Sequence, residues 1–283
     1  IQGDTITTFA AAFAAYLHRI PVGHIEAGLR TGNPDHPFPE EMNRMLTTRV
    51  SALHFAPTTV AADALRAEGI EDTHIIVTGN TVIDALLSVI DADHAFAAGE
   101  LTSVGADDEV VLITTHRRES FGAPLENICG AVRELARIHA DHRFVLPVHP
   151  NPNVQSPVRA ALGDVPNVIL CDPLDYVDFA NLMARSKLIL TDSGGVQEEA
   201  PSLDVPVLVM RETTERPEGV SAGCSRLVGM DKARIVNAAN AILGDARQHE
   251  QMARARSPYG DGAAASRIAD AILMHETRFE AAS

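Results

Sequence analysis

The side chains able to do chemistry gather at a few places along the 283 residues. Asp4 follows Gly3, Glu26 lies in His24-Ile25-Glu26-Ala27-Gly28, and Glu40 and Glu41 follow Phe38-Pro39. Further on come His116-Arg117-Arg118-Glu119-Ser120 and, after the apolar run Leu188-Ile189-Leu190, Asp192-Ser193-Gly194-Gly195. Carboxylates move protons and stabilise developing positive charge. A glycine turn between a buried strand and a helix start leaves backbone N–H groups unobstructed at the positive end of a dipole, which suits a phosphate. Asp192 and Ser193 end the strand, and Ser193 reads as the N-cap of a helix beginning near Val196. Taken singly, each group has a plain structural reading. Asp4 could cap a helix, Glu26 could pair with Arg30, and Glu40, Glu41, Glu198 and Glu199 could be acids near helix starts. Together, three acids at strand ends facing a diphosphate turn could stabilise positive charge on a sugar as its nucleotide departs. His116 and the two arginines after it could contact the diphosphate. Arg216, in Thr214-Glu215-Arg216-Pro217, could do so from another loop, and Glu199 could accept both hydroxyls of a ribose. His149, in Pro147-Val148-His149-Pro150, reads as a loop-ordering residue.

Positioning these groups requires strand ends, and strand and helix signals alternate along the chain. Strands are expected at 22–25, 53–56, 75–77, 110–114, 144–147, 168–170, 188–190, 207–209 and 226–228. Helices are expected at 5–17, 39–50, 58–68, 82–90, 125–138, 154–162, 176–185, 196–203, 232–243 and 263–279. Continuous apolar strands alternating with helices imply parallel sheets covered on both faces, with ligands at the carboxyl ends of the strands. The polar, aperiodic stretch 91–108 interrupts the alternation. The expected organisation is α/β: a first Rossmann-like domain over 1–95, a linker over 96–108, a second over 109–260 facing the first across a cleft, and a terminal helix over 261–283.

A formal charge of −15 argues against a nucleic-acid or anionic-membrane surface, and only two of the 23 basic residues are lysines, Lys187 and Lys232. Cys129, Cys171 and Cys224 are far apart, without CxxC spacing, which fits a reduced cytoplasmic protein with neither disulfide framework nor zinc site. No apolar run is long enough to span a bilayer. No metal or redox cofactor is expected.

The segments HIEAGLRTGN, FPEEMNR, GNTVIDAL, THRRESFG, PVHPNPNV, LTDSGGVQEEAPSL, PVLVMRETTERPEG and SPYGDGAAASRI, in that order, cover almost the whole chain from Gly3 to Ile268. This set resembles the non-hydrolysing UDP-N-acetylglucosamine 2-epimerases. The resemblance implies a GT-B fold whose last helix crosses back onto the first domain. It also implies UDP-N-acetylglucosamine as the small-molecule partner, and a homodimer is the expected assembly. Carried over by position, it implies catalytic roles for Asp4, Glu26, Glu40 and His116. Arg216 falls near the diphosphate, Ser193, Gly194 and Gly195 at the phosphates, Glu199 at the ribose and Phe179 beside the uracil; Arg117, next to His116, is a further substrate-binding candidate. One departure is Leu174, where family members carry a glutamine at the base site; backbone groups could substitute.

The implied reaction expels UDP, removes the C2 proton to give 2-acetamidoglucal, and re-adds UDP with protonation of the other face. Rival readings are a hydrolysing epimerase, which would accumulate UDP, a relative acting on a diacetamido uronic acid nucleotide, a GT-B glycosyltransferase needing an acceptor, and a non-catalytic UDP-sugar-binding fragment. The chain opens Ile1-Gln2-Gly3-Asp4-Thr5, without methionine. The expectation is a first domain incomplete at its N-terminus, with weak UDP binding and no epimerisation by the chain as it stands, and a second domain able to fold alone.

Overall fold

The computed structural model describes residues 1–35, 37–96, 99–105, 107–117 and 120–280. Its elements are α1 (Ile6–Leu17), β1 (Gly23–Ile25), α2 (Glu40–Val50), β2 (Leu53–Ala56), α3 (Thr59–Ala67), β3 (Ile75–Val77) and α4 (Thr81–Val89). After these come β4 (Glu109–Thr114), α5 (Ala123–Ile138), β5 (His142–Pro147), α6 (Pro152–Leu162), β6 (Val168–Cys171), α7 (Tyr176–Ala184) and β7 (Ser186–Thr191). Last are α8 (Gly194–Glu199), β8 (Val207–Val209), α9 (Pro217–Ala222), β9 (Ser225–Leu227), α10 (Lys232–Leu243), α11 (Ala246–Ala253) and α12 (Ala264–Glu280). Two compact units result: unit 1 holds Ile1–Leu87 and the chain from Pro258 onward, and unit 2 holds Ser88–Ser257.

Unit 1 is built on a parallel sheet of order β1-β2-β3. Side chains alternate across β2, so its two faces differ. Ala56 packs with Ala61, Ala62 and Leu65 of α3, while Leu53 and Phe55 pack with Ile268 of α12. The last helix is tied in by polar contacts as well. Asp84 accepts from the amides of Ala264 and Ala265 at 3.1 and 2.8 Å, and the Asn80 amide donates to the Tyr259 carbonyl at 2.7 Å. The segments GNTVIDAL and SPYGDG thus meet, and Gly79 is required where they do: a Cβ there would lie 3.0 Å from the Gly260 Cα, at a φ of +84°.

Unit 2 is a parallel sheet of order β6-β5-β4-β7-β8-β9. Val110 to Ile113, Leu188 to Leu190 and Val207 to Val209 are fully buried, as strands covered on both faces must be. Leu125, Ile128, Val132 and Leu135 of α5 and Ile235, Ala239 and Ile242 of α10 pack into one core with Val111, Ile113, Leu188, Leu190 and Leu208. Each buried Val, Leu or Ile side chain among them contributes about 1.5–3 kcal/mol of transfer free energy. The order turns outward on both sides of β4, so β4 and β7 lie centrally and the loops after them flank the switch point where ligands bind in such sheets.

Three local expectations differ from what is seen. The helix after the glycine turn starts at Gly194 rather than Val196, and gives way to a 3₁₀ turn at Ala200–Leu203 around Pro201. α9 and α11 are short and hold few large apolar residues, Val220 in one and Met252 in the other, which hid them; each has caps instead, with Pro217 and Gly223 bounding α9 and Asp245 accepting from the Arg247 and Gln248 amides of α11. The division of the chain falls in the last turn of α4, not within 96–108. Residues 88–96 are bound to α7: Asn181 contacts both Val89 and Asp91, His94 Nε2 meets Asp178 at 2.6 Å, and the Arg185 guanidinium lies 4.8 Å over the Phe96 ring. Leu101, in a 3₁₀ turn at Gly99–Ser103, is fully buried.

Candidate active site

In unit 1 the acids converge on the Gly3-Asp4 turn. The amide of Gly3 donates to the Ile25 carbonyl, and His24 Nε2–H donates to the Gly3 carbonyl at 2.9 Å. The turn is therefore pinned beside the end of β1, where Glu26 follows with a φ of 65°. A non-glycine residue held in the left-handed region is strained, a condition that persists chiefly at functional sites. The Glu26 carboxylate lies against Gly3, whose missing Cβ would stand 3.6 Å from Oε2. Gly28, two residues on, has no room for a side chain, since a Cβ would fall 2.1 Å from the Ala61 carbonyl oxygen.

α2 closes the same end of the unit. Asn43 Nδ2 donates to the Asp4 carbonyl at 2.9 Å and Arg44 Nη2 to the Asp4 carboxylate at 2.6 Å. Glu40 stands three and four residues before these two, on the same helix face. Its neighbour Glu41 has a different job. Its carboxylate is buried, accepts from the Thr31 and Gly32 amides, and pairs with Arg44 at 3.2 Å. Glu41 thus holds the loop after β1 and braces the arginine that grips Asp4.

In unit 2 the glycine turn follows β7 as expected. Ser193 occupies the N-cap position, but its hydroxyl caps nothing in the helix, and its amide donates to Thr191 Oγ1 at 2.9 Å. Arg216 lies over the turn: a Cβ on Gly194 would meet its guanidinium carbon at 3.2 Å. A side chain there would push the guanidinium back by a few tenths of an ångström. Arg216 is held by Glu198 at 2.7 Å, and its amide donates to Thr214 Oγ1, whose hydroxyl donates to Gln197 Oε1. Arg211 grips Glu215 through both terminal nitrogens; burial pushes that carboxyl up, but this pairing outweighs it and holds the carboxyl at about 2. The turn and the Arg216 loop are one assembly.

Glu199 lies beside Gly195 and accepts from the Tyr176 hydroxyl at 2.9 Å. Burial raises its pKa, only partly offset by the Tyr176 donor, and the nearby Glu198 charge adds to the rise. Tyr176 and Phe179 lie three residues apart on α7, so the half-buried Phe179 ring shares a helix face with the Tyr176–Glu199 contact.

His116 and Arg117 begin the loop after β4 and are joined to the glycine turn through Asp192. That residue, read from the sequence only as a strand stop, is fully buried and accepts from the His116 and Arg117 amides, from Thr115 Oγ1 and from Ser120 Oγ. His116 Nδ1 lies 3.1 Å from it. Burial raises the Asp192 pKa, but these donors, His116 first, hold it below the usual carboxylate value. Arg118 and Glu119 lie outside the described residues. His149 accepts the Asn151 amide, which orders its own loop, and its ring stacks 6.2 Å from that of His116.

The structure therefore gathers Asp4, Glu26 and Glu40 in unit 1, and gathers His116, Arg117, Ser193, Gly194, Gly195, Glu199, Arg216 and Phe179 around one end of the unit 2 sheet. Tyr176 and Arg44 are supporting residues that sequence reasoning passed over, while Asp192 reads in the sequence only as a strand stop and Glu41 and Glu198 only as acids near helix starts. Among the described residues, no group of three or more His, Cys, Asp or Glu side chains is disposed to hold a metal ion, and no helix is long and apolar enough to cross a membrane.

Two α/β units with parallel sheets, one carrying a glycine turn and an arginine at its switch point, define a protein of GT-B type. The chain belongs to the UDP-N-acetylglucosamine 2-epimerase family, whose model matches residues 1–273. An Escherichia coli UDP-N-acetylglucosamine 2-epimerase is 52% identical over 280 residues, 96% of this chain and 74% of that relative. A Bacillus subtilis one is 49% identical over 275 residues, 97% of this chain and 72% of that relative. A Neisseria meningitidis UDP-GlcNAc 2-epimerase, solved bound to UDP-GlcNAc, superposes with a TM-score of 0.86 at 46% identity, covering 96% of this chain and 75% of that one.

Proposed function

We propose that this protein interconverts UDP-N-acetylglucosamine and UDP-N-acetylmannosamine without net hydrolysis. The observation that carries the reading is the Gly3-Asp4 turn. There a strained Glu26 and an Arg44-gripped Asp4 are held side by side, in a chain of this family. The C2 proton of the substrate is not next to a carbonyl, so direct removal is slow. Breaking the C1–O bond first, with its electron pair leaving on UDP, gives C1 oxocarbenium character and makes the C2 proton acidic. A carboxylate then takes that proton and C1=C2 forms, giving 2-acetamidoglucal. Addition of UDP to C1 and a proton to the opposite face of C2 restores a sugar nucleotide with inverted C2. Atoms and electrons balance without a metal, redox partner or water.

In this scheme Asp4, Glu26 and Glu40 stabilise cationic character and move the proton. Ser193, Gly194 and Gly195 offer backbone amides to the diphosphate, Arg216, Arg117 and His116 add charge, Glu199 takes the ribose hydroxyls, and Phe179 flanks the base. The reading further makes the protein cytoplasmic and homodimeric, and a supplier of precursors for cell-surface polysaccharide.

The role of Glu199 has its own test. Replacing a carboxylate that accepts two hydroxyls weakens a charge-assisted pair worth about 1.5–3 kcal/mol. Glu199→Gln is thus expected to weaken UDP binding roughly tenfold to a hundredfold by calorimetry, while kcat at saturating substrate changes far less. Loss of kcat with UDP affinity intact would remove Glu199 from the ribose.

A further inference from the structure

We infer that Asp192 is a positioning residue for His116, fixing the imidazole so that it meets the departing diphosphate as an imidazolium; this rests on the diphosphate role proposed for His116. Asp192 is wholly buried at the end of β7, one residue before the turn that would cradle the phosphates. Its Oδ2 takes the Thr115 hydroxyl at 3.1 Å, the His116 and Arg117 amides at 3.0 Å each, and the Ser120 hydroxyl at 2.8 Å. Its Oδ1 faces His116 Nδ1 at 3.1 Å. A carboxylate surrounded by donors stays ionised and has no hydrogen to give, so a hydrogen bond across this contact requires the proton on Nδ1.

Two consequences follow from ring geometry. The opposite edge of the imidazole, with Nε2, is left for the substrate, and the side chain is 43% exposed, so that edge is reachable. With Nδ1 already protonated, Nε2 can give a hydrogen bond to a phosphate oxygen only after the ring takes a second proton from solvent. The buried negative charge of Asp192 stabilises that imidazolium, much as a buried aspartate supports the histidine of a hydrolase triad. One carboxylate also anchors the amide of His116 and its ring, which fixes the main chain and the ring edge together. Among the described residues, Asp192 just after β7 and His149 from the loop after β5 lie against the ring, with Arg117 beside it in sequence. The stacked His149 takes the other tautomer, since its Nδ1 accepts the Asn151 amide.

The charge matters most once the C1–O bond is breaking and negative charge gathers on the leaving oxygen. Its loss should therefore appear in kcat more than in KM. Asp192→Asn can keep its amide oxygen on the loop donors while turning its NH₂ toward Nδ1. That forces the neutral tautomer with the hydrogen on Nε2: the donor survives and the charge is lost. A kcat loss of about a hundredfold is expected, the scale of removing one preorganised contact to developing charge.

The test combines nitrogen NMR of the His116 ring with a mutant cycle. In the unmodified protein the neutral ring should carry its hydrogen on Nδ1, and saturation with UDP should protonate both nitrogens. Finding the Nε2–H tautomer, or a ring that stays neutral with UDP bound, would overturn the proposal, and this readout needs no variant to fold. In the cycle, Asp192→Asn should cost about a hundredfold alone and almost nothing further in a His116→Ala background. Equal cost in both backgrounds would make Asp192 a loop support only. If His116→Ala alone leaves kcat unchanged, the role given to His116 fails, whatever the tautomer.

Discussion

Asp4→Asn and Glu26→Gln are each expected to lower kcat by about a hundredfold to ten-thousandfold, with UDP affinity changed by less than about threefold. The reasoning starts from where these residues lie. Both belong to the Gly3-Asp4 assembly of unit 1, while the residues assigned to the nucleotide belong to unit 2. A neutral amide can still accept from Arg44 or lie against Gly3, so the variants test charge and proton transfer rather than folding. Arg44 keeps Glu41 as a partner in Asp4→Asn, which leaves no buried charge unpaired. Calorimetry with UDP beside steady-state kinetics separates the two effects. Unchanged kcat in both variants would remove the acids from the chemistry, and weakened UDP binding with normal kcat would move them to the nucleotide site.

The second large effect is on stability. His24 and His54 are register partners on β1 and β2, both buried. Burial is the chief reason each titrates at about 4 rather than 6.5, and for His54 the neighbouring His24 adds to the depression. Neither Nδ1 has a hydrogen-bond partner among the described residues, so a second proton on either ring would be buried unsatisfied. These are bases with lowered folded pKa values, so below pH 6.5 the unfolded chain binds more protons than the folded one. Stability is full above 6.5 and falls until both states are protonated near pH 4. Each histidine is expected to remove about 3 kcal/mol across that window. Together this is comparable to the whole stability of a typical domain, about 5–15 kcal/mol. The depressed carboxylates Asp192 and Glu215 act at lower pH, and Glu199, whose pKa is raised, acts in the opposite sense. Hydrogen exchange of the β2 amides from pH 7 to 4 should show protection collapsing, and His54→Asn should roughly halve the slope. Flat protection across the window would refute the buried, neutral pair.

What the sequence discloses here depends on how local each signal is. Strands buried on both faces, such as residues 110–113 and 207–209, are continuous apolar runs and can be read directly. The glycine turn alone reads as an ordinary strand-to-helix turn, and becomes legible as a phosphate site only in the company of the acids and the arginine loops elsewhere in the chain. By contrast, Glu40 and Glu41 are adjacent acids in one helix turn, and only packing separates the buried brace from the partly exposed acid. Asp192 looks like a strand-ending acid; its role arises from donors 72 to 77 residues away, which no local pattern carries. Arg216 and Gly194 are likewise joined across the chain. The stretch 91–108 misleads in the other direction. Its composition is that of a linker, but His94, Phe96 and Leu101 each find a partner or a buried place in unit 2.

The most direct test of the central claim is proton NMR of UDP-N-acetylglucosamine incubated with the protein in deuterated water. Elimination and re-addition through a carboxylate that exchanges with solvent should yield UDP-N-acetylmannosamine carrying deuterium at C2, with UDP held below stoichiometric amounts. Product that keeps its original C2 proton would contradict the elimination route, and steady accumulation of UDP with free N-acetylmannosamine would contradict the non-hydrolysing reading.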